Sequence, residues 1–210
     1  MKLKDLSLES VTLEEYQKVM IKDKVEEIDF LKCFLKLNTK EINKLPQKNV
    51  DIYQMQINSL LNRDHELVTR FKLDGVEYGF IPKLDDISYG ENMDITKNIG
   101  DYGSMHKAMA VLFRPITQKI NDQYLIEEYE NTYKYADKLK KMPLHATLGA
   151  IVFFYTLTSE LMNFTLSYLE KETEMQDLDL QQTLRENGVD LLSSIHSLKE
   201  MLRDLKPSLN

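Results

Sequence analysis

The chain has 210 residues, a formal net charge of −7, 42% hydrophobic and 29% charged side chains, proportions that exclude disorder along its whole length. Seven Gly and five Pro exclude collagen-like and low-complexity chains and disfavour a turn-rich β sandwich. With 27 basic against 34 acidic side chains there is no overall basic excess to neutralise duplex phosphate, and one Cys excludes an internal disulfide and a thiolate metal cage.

No apolar stretch follows Lys2 and Lys4, so no secretory signal is expected. Thr12 and Glu15 form a capping-box pattern that opens a helix with Leu13, Tyr16, Val19 and Met20 on one face. A second helix is expected from about Asp23 to Leu37. It carries Cys33 among apolar neighbours, which reads as a small core residue in a reducing cytoplasm. Thr39 caps a short third helix with Ile42 and Leu45 as its apolar pair, and Pro46 stops it. A fourth runs from about Asn49 to Leu61.

The strongest β signal is Thr69 to Phe80, centred on the Asp74-Gly75 turn, because both central residues of that turn need positive φ. With this turn Leu73 opposes Val76 and Phe71 opposes Tyr78, while Lys72 and Glu77 pair on the other face. A lone hairpin is marginal in water, so this one must pack on helices.

Ser88 and Glu91 form a second capping box, opening a helix to about Lys97. Ser104 caps the next, where Met105, Met109, Leu112 and Phe113 share a face until Arg114-Pro115 breaks it. Tyr124 to Glu127 carries a short strand pattern. Helix returns from Thr132 to Met142 and restarts at Pro143, a favoured first-turn residue, to about Glu172. That last helix starts apolar nearly all round, as a central buried element does. Its uncharged run, Ala146 to Ser159, is shorter than the ~20 residues of a membrane span.

From Glu170 to Asp190 the chain is acidic. Leu184, Gly188, Leu191, Ile195, Leu198, Leu202 and Leu205 then follow a 4,3,4,3,4,3 spacing, a heptad stripe. Such a helix is marginal alone, and either folds back on the body or packs on another chain. Gly188 lies on the stripe and weakens it. The expected architecture is therefore mainly α: residues 1–172 as a helical bundle with one small hairpin at about 69–81, and residues 173–210 as an acidic linker and amphipathic helical arm.

Chemistry is sparse. His65, His106, His145 and His196 show no metal-ligand spacing, and G-x-S-x-G, Walker and G-x-G-x-x-G motifs are absent. Asp85, Asp86, Glu91 and Asp94 cluster at a helix start, where capping and the helix dipole explain acidic residues as well as an acid–base pair would. Tyr133, Tyr135 and Lys138 to Lys141 come nearest to a single-strand nucleic-acid patch, but Glu127, Glu128 and Glu130 precede them.

Three stretches carry a family resemblance: Val11 to Tyr16 with Phe34 to Ile42 and Leu45-Pro46; Phe71 to Pro82 running into Ser88 to Glu91; and His106 to Pro115 with Pro143-Leu144 and Gly149-Ala150. In this order of segments the chain resembles proteins of tailed-bacteriophage structural and assembly modules, and most of all tail assembly chaperones. The resemblance spans about residues 11–170. It implies a helical protein with a small β element, acting in the host cytoplasm, that binds a tape-measure-like tail protein and keeps it soluble. It implies no catalytic residue and no cofactor. The alternative is a virion subunit, a head–tail connector ring component or packaged internal protein. Leu184, Leu191, Ile195, Leu198, Leu202 and Leu205 are the candidate partner-binding residues, and self-association is the alternative use of that stripe.

Overall fold

The computed structural model describes residues 3–121 and 123–172, and for Asp85 and residues 161–172 the backbone alone. After a 3₁₀ turn at Leu8–Ser10 come four helices, α1 (Leu13–Met20), α2 (Glu27–Leu35), α3 (Thr39–Ile42) and α4 (Gln47–Asn62). The hairpin β1 (Arg70–Leu73) and β2 (Val76–Phe80) follows, then a 3₁₀ turn at Leu84–Asp86, α5 (Tyr89–Ile99) and α6 (Met105–Leu112). A second hairpin, β3 (Phe113–Ile120) and β4 (Gln123–Ile126), precedes α7 (Tyr133–Leu139) and α8 (Leu144–Glu172).

The helix starts follow local chemistry. Thr12 Oγ1 accepts from Glu15 N–H at 3.3 Å while a Glu15 carboxylate oxygen accepts from Thr12 N–H at 2.9 Å, the reciprocal capping box. Ser88 and Glu91 repeat it. At α3 the cap is Asn38, paired with Glu41, so the expected Thr39 cap moves one residue earlier. Ser104 stands at the start of α6 without a side-chain cap bond.

The first hairpin forms in the expected register, with Phe71 opposite Tyr78 and Leu73 opposite Val76. Asp74 and Gly75 both take positive φ, 50° and 80°. The ion pair on its outer face, however, joins Glu77 to Lys119 of β3 rather than to Lys72.

The expectation of a helical bundle with one hairpin is overturned. The hairpin is half of a four-stranded antiparallel sheet, ordered β1-β2-β3-β4, in a mixed α/β fold. The difference lies at Arg114-Pro115, expected only to break the helix: α6 ends at Leu112, and these two residues sit inside β3, which opens at Phe113. Phe113, expected on the helix face, is the first residue of that strand and pairs with Phe80. Proline survives inside the strand because of register. Ile81 N–H donates to Leu112 O at 2.9 Å. Antiparallel alternation then makes Tyr78 and Pro115 a non-hydrogen-bonded pair, so β2 needs no N–H from residue 115. The Pro115 carbonyl faces β4 and accepts from Glu127 N–H at 2.9 Å.

The sheet's inner face is aromatic. Phe71 stacks on Tyr78 with centroids 5.7 Å apart, and Phe113 meets Phe71 and Phe80 edge-on, each at 5.2 Å. Phe80 also meets Phe153 of α8 at 5.6 Å. The first two turns of α8 lie in the core, with Leu144, Ala146, Leu148, Ala150 and Ile151 fully buried, as its apolar start suggested. Gly149 permits this. The 66–67 backbone fills the space beside it, and a Cβ there would collide with the Glu66 carbonyl. Beyond Ile151 α8 is only partly buried: Phe153, Phe154 and Tyr155 still pack against the core, and Leu157 is exposed. No helix among the described residues is long and apolar enough to cross a membrane.

Candidate protein-binding groove

The second hairpin does not continue the sheet flatly. A register shift between Ile116 and Gln118 bends it, and extra residues in a strand do this by increasing local twist. Tyr124 of β4 thereby reaches across to β2, where its hydroxyl donates to Phe80 O at 2.8 Å. Its ring occupies the space a side chain at residue 79 would fill, and Gly79 leaves that space open. The Arg70 guanidinium stands 5.9 Å from the Tyr124 ring centroid, a cation–π arrangement.

This bend closes one side of a groove of about 890 Å³. Leu67, Phe80, Ile81, Leu84, Ile87, Ile126 and Phe153 supply apolar wall, and Arg70, Gln118, Gln123 and Tyr124 add polar groups. Ile120 and Leu125 also line it, yet are 58% and 57% exposed, so its rim is apolar. They sit diagonally across the hairpin ladder: Leu125 pairs with Gln118, two residues before Ile120 on the same face.

Beneath the groove lies a buried ion pair. Arg114 Nη2 donates to Glu91 Oε1 at 2.7 Å, with both side chains less than a tenth exposed. Glu91 Oε2 is occupied too, accepting from Ser88 N–H at 2.7 Å. One carboxylate therefore caps α5 and ties it to β3. The Tyr129 ring lies 5.9 Å from the Arg114 guanidinium, and its hydroxyl donates to Asp94. Burial, reinforced by that bond, pushes the Tyr129 hydroxyl up to about 12.

The carboxylate cluster at this helix start is therefore divided. Glu91 points inward, Asp94 holds Tyr129, and Asp86 pairs with Lys83 at 3.7 Å on the surface. The Tyr133–Lys141 segment is a mixed-charge face: Lys134 bridges Glu127 and Glu130, and Lys140 pairs with Asp137.

The three histidines among the described residues sit on separate segments, and His196 lies outside the described residues. Gln17 Nε2 donates to His106 Nδ1 at 3.2 Å, assigning the ring proton to Nε2. His145 Nδ1 is buried without a hydrogen-bond partner, and His65 faces Leu61 O. Burial, the largest cause at each, lowers all three. Cys33 is buried as expected, and burial pushes its thiol up to about 12, leaving almost no thiolate at neutral pH. No group of three His, Cys, Asp or Glu among the described residues could hold a metal ion.

The partner-binding candidates Leu184, Leu191, Ile195, Leu198, Leu202 and Leu205 lie outside the described residues. What the sequence reading missed is the groove. In sequence Arg114 reads as a helix breaker, although a lone arginine between Phe113 and Pro115 in an apolar run asks for a buried partner. No family model, no curated protein and no solved structure matches this chain.

Proposed function

We propose that this chain is a non-enzymatic phage assembly protein that binds an apolar segment of a helical, tape-measure-like tail protein and keeps it soluble, with the groove as its receptor. The observation that carries the reading is the groove's apolar rim. Ile120 and Leu125 stand more than half exposed beside a cleft with apolar walls, where a covering partner would remove them from water. The resemblance of residues 11–170 to tail assembly chaperones supplies the kind of partner.

Co-expression with the tape-measure-like protein of the same phage tests it. The expected result is a larger soluble fraction of that protein, reduced when Leu125→Asp and Ile120→Asp are introduced together. Both positions are exposed, so the fold should tolerate the change. An unchanged soluble fraction with and without this chain would reject the reading.

One observation favours the second reading, a virion subunit. Among the described residues β4 pairs on one side only, with β3, and an open edge can recruit a strand from another subunit. Strong presence of the chain in purified particles would support this reading over a chaperone discarded during assembly.

A further inference from the structure

The charges lining the groove do not cancel. Arg70, Lys83, Asp86, Glu91 and Arg114 all contribute to its surface. Glu91 is taken up by Arg114 and by the Ser88 N–H, and Asp86 pairs with Lys83. Arg70 is left over. Its side chain is exposed, and among the described residues its guanidinium forms no ion pair and no hydrogen bond. Glu77, a carboxylate on the same face of the first hairpin, is already bonded to Lys119.

We infer that Arg70 selects the occupant of the groove: an apolar polypeptide segment that carries one Asp or Glu carboxylate beside its apolar anchor residues. This rests on the groove acting as a protein receptor, and it adds which segment the groove accepts.

The geometry prepares Arg70 for that role. Arg70, Gly79 and Arg114 lie side by side in one cross-strand row over β1, β2 and β3. The Tyr124 ring rests on Gly79, in the middle of the row. That ring is itself fixed, with its hydroxyl 2.8 Å from Phe80 O and 3.2 Å from Thr69 O. The Arg70 guanidinium stands over it, 5.9 Å from the centroid. A guanidinium laid over an aromatic ring keeps its N–H fork free for a carboxylate, and less entropy is lost when the fork is already oriented.

Hydrogen-bonding capacity is unbalanced in the same direction. Arg114 Nε is buried without an acceptor, while both oxygens of Glu91 are engaged. The row therefore has donors to spare. One unpaired cation among apolar walls matches one carboxylate on an apolar segment. It does not match a nucleic-acid strand, which needs a run of free cations, and a net charge of −7 repels such a polyanion. An occupant that covers Ile120 and Leu125 would also shield the new ion pair from water, where it is worth more than an exposed one.

The test selects binders of the full chain from a random library of short peptides with blocked ends. Each selected peptide is then measured on the parent chain, on Arg70→Gln, and on Ile120→Asp combined with Leu125→Asp. The expected peptides lose binding on the double Asp variant and carry an Asp or Glu among apolar residues. Arg70→Gln should weaken them roughly tenfold, the worth of one charge-assisted hydrogen bond. Replacing the peptide's carboxylate with its amide should cost the same factor on the parent chain, a comparison that leaves the protein unaltered. On Arg70→Gln that replacement should cost little more, because the two changes remove one interaction. Groove-dependent peptides without an acidic residue, or ones that bind Arg70→Gln as tightly as the parent, would overturn this inference while the groove reading stands. If no peptide depends on Ile120 and Leu125, both are overturned.

Discussion

The Tyr124 ring rests directly on Gly79, and its hydroxyl passes over β2 to donate to the Phe80 carbonyl at 2.8 Å. Nothing in the chain between them sets this contact. It follows from the bend of the β3–β4 hairpin, and it forms one wall of the groove.

Gly79→Ala should therefore dislodge Tyr124, since a Cβ would come within 2.9 Å of the ring's Cδ2. We expect a loss of about 2–3 kcal/mol from overpacking and the broken hydrogen bond. Tyr124→Phe should cost only ~1 kcal/mol, the worth of one hydrogen bond. Urea denaturation of both variants and of the double mutant checks this: the combined loss should fall short of the sum.

The Glu91–Arg114 pair makes a sharper case. Arg114→Met leaves a carboxylate buried beneath the groove with one partner removed, and should cost about 3–5 kcal/mol. Adding Glu91→Gln removes the stranded charge while keeping an acceptor for Ser88 N–H. The double variant should regain part of the loss, measurable by chemical denaturation. A double variant less stable than Arg114→Met alone would show that the cap, not the ion pair, dominates at Glu91.

Gly149 meets the chain's own backbone. A Cβ would lie 3.0 Å from the Glu66 carbonyl carbon and closer still to its oxygen, and backbone cannot rotate away as a side chain can. Gly149→Ala should lift the start of α8 from its seat despite alanine's better helix propensity, at a cost of ~3 kcal/mol or more. Thermal unfolding of the variant should occur well below that of the parent. An equal or higher midpoint would mean that the 66–67 strap yields easily.

Stability should fall on mild acidification. Burial lowers His65, His106 and His145 below the ordinary value of 6.5, so near that pH the unfolded chain binds more protons than the folded one. Their contribution is complete above pH 6.5 and is lost as pH drops through the lowered folded values. Asp29 extends the loss to stronger acid. Burial opposes its ionisation, but the Lys22 ammonium at 2.6 Å and the Glu26 N–H outweigh it and hold the carboxyl below its usual range. Denaturation midpoints between pH 7.5 and 5 should decline, and His145→Gln should flatten that slope.

Capping boxes at Thr12–Glu15 and Ser88–Glu91, the Asp74-Gly75 hairpin with its register, and the buried start of α8 were all legible in the linear chain. Each rests on interactions spanning at most a few residues, or on an apolar pattern within one element. Such signals survive in sequence because the groups that interact are close along the chain.

β3 shows the opposite. Its residues follow a helix without a loop, and its proline resembles a terminator until β2 is known to pair on the side where no N–H is needed. Which residue pairs with Arg114 is likewise unreadable along the chain, since Glu91 lies 23 residues earlier, and so is the contact of Tyr124 with Gly79. Local chemistry along the chain was enough to set where helices start and how the first hairpin turns. The four-stranded sheet, the buried ion pair and the groove arise from pairings between distant residues, whose energies appear only when folding has brought both partners to one place.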